Sequence, residues 1–155
     1  MNVVLEELKN VKDQNFKKLF LSYFDELGVK LPDGYDVFSD IELSAKNEQM
    51  ITIVAKQHSE MIGFIMFQPE QLISSTKFFK QDTTFIREFS VLKDYRKTGI
   101  GTQLMEYVFD YCNKNNIHTI ILTTHSAQEY YLRLGFVEDS SYSAKNKQIV
   151  YIKKI

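Results

Sequence analysis

The segment from Thr83 to Thr123 constrains this chain more than any other part of it. Thr83 to Val91 reads as a strand, and a charged turn runs from Lys93 to Thr98. Ile100, Leu104, Met105, Val108, Phe109 and Cys112 then share the apolar side of a helix. Thr119-Ile120-Ile121-Leu122-Thr123 follows as an unbroken apolar run, the mark of a strand covered on both faces. Strand, helix and strand in that order imply a right-handed parallel crossover inside a mixed sheet. The fold class is therefore α/β, or α+β with a mixed sheet.

The flanking segments supply the rest of such a domain. Asn2 to Leu8 reads as a strand, and Phe16, Leu19, Phe20, Tyr23, Phe24 and Leu27 recur at helical steps, with Gly28 as a stop signal. Pro32-Asp33-Gly34 marks a turn, and Val37, Phe38, Ile41 and Leu43 suggest a short second helix. Strands are expected over Met50 to Lys56 and Met61 to Gln68, joined by the polar turn His58-Ser59-Glu60 and hence antiparallel. Residues 69 to 82 read as a polar loop carrying Phe78 and Phe79. A short helix over Ala127 to Leu134, with Gly135 just past its end, precedes strands at Phe136 to Glu138 and Gln148 to Ile152.

A length of 155 residues suits one domain, and 44% hydrophobic with 25% charged residues suits a globular core. Formal net charge is -1 and the pI is about 6.3, so no global field draws nucleic acid or an anionic membrane. Glu6, Glu7, Lys9, Lys12 and Asp13 interrupt the first thirty residues, which excludes a signal peptide or membrane span there. The lone Cys112 cannot form an internal disulfide. A cytoplasmic protein is expected. A self-pairing strand near Gln148 to Ile152 would make it a homodimer.

Chemistry concentrates in Arg96-Lys97-Thr98-Gly99-Ile100-Gly101-Thr102, at the head of a helix. The first turn of a helix carries main-chain N–H groups without intrahelical partners and a partial positive charge. Gly99 and Gly101 let an anion approach, Arg96 and Lys97 add charge, and Thr98 and Thr102 add hydroxyls. Together they make a site for a phosphate or diphosphate. A Walker loop would need Gly-Lys-Ser/Thr, but Gly101 precedes Thr102-Gln103; a dinucleotide fingerprint would need glycine at Leu104.

The pattern Arg-x-x-Gly-x-Gly at a helix head resembles the GNAT superfamily of acetyl-CoA-dependent N-acetyltransferases. The resemblance extends from Phe89 to Gly101 and returns in Ala127-Gln128-Glu129-Tyr130-Tyr131-Leu132-Arg133-Leu134-Gly135-Phe136, similar to that family's helix ending in Leu-Gly-Phe. It implies a single N-acetyltransferase domain over residues 1 to 155. Its central mixed sheet has about six to seven strands splayed in the middle, with about four flanking helices. It also implies acetyl-CoA as cosubstrate. The main chain of Phe89, Ser90 and Val91 would hold the pantetheine arm. Arg96, Lys97, Thr98, Gly99, Ile100, Gly101 and Thr102 would hold the pyrophosphate. Tyr131 falls at the position of the usual general acid.

Acetyl transfer needs a neutral amine and a proton for the departing thiolate. Glu88, just before the cofactor segment, is the candidate base; a solvent-facing or paired strand carboxylate is the alternative. Tyr131 would protonate or orient the sulfur, against the alternative of core packing. Cys112 reads as an inert core thiol, and His125 as a proton relay or a solvated loop residue. There is no Cys/His spacing for zinc and no carboxylate cluster, so no metal is expected. The same resemblance implies a small-molecule or peptide amine as acceptor, met around Tyr23, Tyr35 and residues 69 to 82, where Lys77 and Lys80 flank the two phenylalanines; a surface loop with an aromatic anchor is the alternative there. The competing function is a non-catalytic acyl-CoA-binding sensor or interaction module of the same fold.

Overall fold

A computed structural model describes residues 2–47, 49–69, 83–124, 127–141 and 148–155. The strands are β1 (Val4–Glu7), β2 (Ile51–Gln57), β3 (Glu60–Pro69), β4 (Thr83–Val91), β5 (Thr119–Thr124), β6 (Val137–Glu138) and β7 (Ile149–Lys154). The helices are α1 (Gln14–Leu27), α2 (Val37–Asn47), α3 (Ile100–Lys114) and α4 (Gln128–Arg133), with a 3₁₀ turn over Lys93–Tyr95. The strands form one seven-stranded sheet in the order β1-β2-β3-β4-β5-β7-β6. β4 and β5 are parallel and registered from Thr83↔Thr119 to Phe85↔Ile121, as the crossover through α3 requires. β5 and β7 run antiparallel, as do β1 and β2. The mixed sheet and the four expected helices are thus present.

Local chemistry explains the boundaries. Asp13 caps α1, its carboxylate accepting from the amides of Asn15 (2.9 Å) and Phe16 (3.2 Å). α1 closes at Gly28, whose amide donates to Asp25 O while that of Val29 donates to Phe24 O, a Schellman pair. Asp36 caps α2 in the same manner as Asp13, through the amides of Phe38 and Ser39. This helix runs to Asn47, one turn beyond the apolar positions that suggested it, because Ser44, Ala45 and Lys46 are tolerated in a helix without being buried. His58 and Ser59 form a two-residue hairpin turn, both at positive φ (51° and 67°), the sign pattern of a type I′ turn.

By contact density the chain divides into two compact units, residues 1–66 with 88–107, and residues 67–87 with 108–155. In the first, Phe16, Phe20, Phe38 and Phe64 are buried and meet edge-on or tilted, with ring centroids 5.6 to 6.4 Å apart. Tyr23 joins them, its ring 5.5 Å from Phe64. This cluster fixes α1 and α2 on the sheet. In the second unit, Phe85, Ile121, Val150 and Ile152 form a core. Cys112 is buried there, its thiol 3.3 Å from the Thr84 hydroxyl, as expected of a core residue. No helix among the described residues is long and apolar enough to cross a membrane.

Candidate active site

The loop between β4 and α3 is built by a chain of main-chain bonds. Leu92 N–H donates to Ile62 O (2.8 Å), and Tyr95 N–H to Leu92 O (2.9 Å), which turns the chain through the 3₁₀ segment. Arg96 is extended, Lys97 takes a left-handed φ of 63°, and Gly99 follows at φ 89°. Gly99 O accepts from Gln103 N–H at 3.0 Å and so begins α3. The Thr98 hydroxyl donates back to Tyr95 O. Among the described residues, no acceptor is recorded for the amides of Lys97, Thr98, Gly99, Ile100, Gly101 or Thr102. Those donors, the first-turn dipole and the exposed Lys97 give this tip the features that favour negative charge at a helix head.

Of the two expected cations, only Lys97 keeps its charge clear of other described side chains. The Arg96 Nε donates to Val91 O (2.8 Å), and its Nη2 pairs with the Glu26 carboxylate on the last turn of α1. That hydrogen bond, with the attraction of Arg96 and Lys93, holds the Glu26 carboxyl below the usual carboxylate range against a weaker desolvation effect. Glu26 lies in no motif of the sequence and joins the site only through this fold. One signal was available: Asp25 and Glu26 sit at the negative end of α1, where acids are disfavoured unless a cation compensates.

Beside this pair lies a cavity of about 160 Å³, with Ser22, Tyr23 and Glu26 on the α1 wall and Ser90, Val91 and Arg96 opposite. Phe89 and Ser90 are half-buried and Val91 is buried, so the end of the strand is partly open. Gly63 on β3 allows the close approach there. A Cβ at that position would stand 3.1 Å from Ser90 O and 3.3 Å from Val91 Cγ2. Glu88 is half-buried, and its carboxylate accepts from the Tyr23 phenol. The expected base and an expected acceptor-side residue therefore meet.

Glu88 to Val91 and Arg96 to Thr102 belong to the first unit, Tyr131 to the second. Tyr131 is half-buried on α4, with its ring 5.3 Å from Tyr130 and 5.8 Å from Phe136. The Schellman closure at Gly135 ties Tyr131 O to the Phe136 amide (3.0 Å), fixing this turn of the helix. His125, Lys77, Lys80, Phe78 and Phe79 lie outside the described residues. Among the described residues, no group of three His, Cys, Asp or Glu side chains is placed to hold a metal ion.

The model of the acetyltransferase (GNAT) family matches residues 13–136, well over half of the chain. The chain belongs to the GNAT family. This GNAT protein is 27% identical over 146 residues to an N-alpha-acetyltransferase of Sulfurisphaera tokodaii, covering 85% of each chain. Its fold matches a GNAT-family acetyltransferase of Staphylococcus aureus Mu50 with a TM-score of 0.76, at 22% identity and 99% coverage of both chains. It also matches the PaiA N-acetyltransferase of Thermoplasma acidophilum, solved in complex with coenzyme A, with a TM-score of 0.71 at 15% identity and full coverage of both. The activity of this GNAT enzyme is acetyl-CoA-dependent N-acetyl transfer.

Proposed function

We propose that the enzyme moves the acetyl group of acetyl-CoA directly onto a primary amine of a small molecule or a peptide, within a ternary complex. The observation that carries this reading is the run of amides from Lys97 to Thr102 without recorded acceptors, at the head of α3. These residues take the diphosphate, in the loop that Arg96 opens. The main chain of Phe89, Ser90 and Val91 takes the pantetheine arm.

The amine nitrogen attacks the acyl carbon, the C–S bond breaks, and the thiolate leaves with a proton. Tyr131 donates that proton. Glu88, directly or through water, receives the one lost by the amine. The Val91 amide lies near the acyl carbonyl and stabilises the developing oxyanion. No covalent acyl-enzyme and no metal is used. The family match spans segments of both compact units, which supports one acetyltransferase domain over the whole chain. The buried, lone Cys112 thiol supports a reducing cytoplasm.

The test is thiol release from acetyl-CoA across an amine panel, wild type against Tyr131→Phe. The name of the Sulfurisphaera tokodaii relative puts peptide α-amines first in that panel. Amine-dependent release is expected, with kcat lowered about a hundredfold in the variant and KM for acetyl-CoA within about twofold. Tight coenzyme binding with no release to any amine would overturn the reading in favour of a binding module.

A further inference from the structure

Arg96 carries two contacts that a simple anion ligand does not need. The peptide joining Val91 to Leu92 is held at both ends: its oxygen accepts from Arg96 Nε at 2.8 Å, and its N–H donates to Ile62 O at 2.8 Å. The preceding peptide carries the Val91 amide. Arg96 in turn is held by the Glu26 carboxylate, so the guanidinium bridges the end of α1 and the end of β4. A planar guanidinium using Nε and Nη2 in this way fixes direction as well as distance. Both partners face the cavity of about 160 Å³ and form part of its wall.

We propose that Arg96 is a positioning residue that orients the Val91–Leu92 peptide under the hold of Glu26, and that its side chain is not a ligand of the cofactor diphosphate. This rests on the reading of β4 as the cofactor strand. Diphosphate binding is left to the amides of residues 97 to 102 and to Lys97. Arg96 sets how squarely the strand end presents the Val91 N–H to the thioester.

The two roles separate in a comparison of acetyl-CoA with acetyl-pantetheine, which lacks the diphosphate. The brace predicts that Arg96→Ala, Arg96→Lys and Glu26→Ala each lower kcat about tenfold with both donors, KM for acetyl-CoA moving by less than about threefold. The Glu26→Ala/Arg96→Ala double variant falls no further than the worse single one, because the two side chains act as a unit. Two results would overturn the proposal. One is an Arg96→Ala penalty confined to acetyl-CoA and expressed in KM. The other is tighter acetyl-CoA binding by Glu26→Ala, which a released anion-binding arginine would give. Failure of the functional reading shows separately, as absence of transfer by the wild type. The brace is then decided by amide exchange in the free protein. Leu92 N–H is expected to exchange about tenfold faster in both alanine variants, and unchanged exchange sinks the proposal.

Discussion

The phenol of Tyr23 on α1 donates a hydrogen bond to the carboxylate of Glu88 on β4. The residues are 65 positions apart in sequence, and the bond joins the helix that walls the cavity to the strand that leads into the loop. Glu88 is thereby held in a defined orientation. Glu88→Gln keeps the size and the hydrogen bond while removing proton acceptance. Its kcat is expected to fall about a hundredfold. Tyr23→Phe leaves the aromatic packing with Phe64 in place and loses about 1 kcal/mol of stability from the missing bond, with a smaller loss of kcat. Steady-state kinetics and urea denaturation check the pair.

Gly63 should tolerate no side chain without loss. A Cβ there meets the Ser90 carbonyl at 3.1 Å, a main-chain atom on β4 that cannot swing aside as a side-chain end would. Gly63→Ala is expected to cost about 1–3 kcal/mol as an overpacking change. Because the displaced atom is Ser90 O, KM for acetyl-CoA should rise as well. Thermal melts with and without coenzyme A, and KM for acetyl-CoA, check it.

The Glu26–Arg96 pair gives a pH signature of known sign. The folded-state carboxyl is held below its ordinary value of 4.5, chiefly by the Arg96 hydrogen bond. A depressed carboxyl contributes stability that is fully present above the unfolded value and disappears as pH falls through the folded one. Both side chains are over 40% exposed, so screening limits the contribution to about 1 kcal/mol or less. Wild type should therefore melt slightly above Glu26→Gln at neutral pH. The gap should close as pH is lowered beneath 4.5.

The β2–β3 turn can be improved. His58 and Ser59 hold positive φ, which Asn-Gly adopts with less strain. Replacing them with Asn and Gly should stabilise the protein by about 1 kcal/mol in denaturant titrations, with kcat unaltered.

Much of this architecture was readable because it is local. The three- and four-residue apolar steps from Phe16 to Leu27 leave one helical solution, and Gly28 and Gly135 end their helices where a Schellman closure needs them. The turn from β4 into α3 was equally plain, since Gly99 and the head of the helix are fixed by a short run of sequence. What stayed hidden was pairing at long range. The charge of Arg96 could be read, but not its partner, Glu26, which lies 70 residues away. Tyr23 and Glu88 were singled out for separate duties, and only folding shows that they touch. No periodicity encodes such contacts; they follow from the packing of α1 on the sheet.

The open tip of α3 also bears on how much of this enzyme a cell holds. A ligand that binds only the native state stabilises it by mass action, by about 2.7 kcal/mol at a hundredfold excess over Kd. On the proposed reading, donors left waiting at residues 97 to 102 make acetyl-CoA such a ligand. Cells short of acetyl-CoA would then lose the catalyst to unfolding and proteolysis along with its substrate, so protein abundance would itself follow metabolic supply.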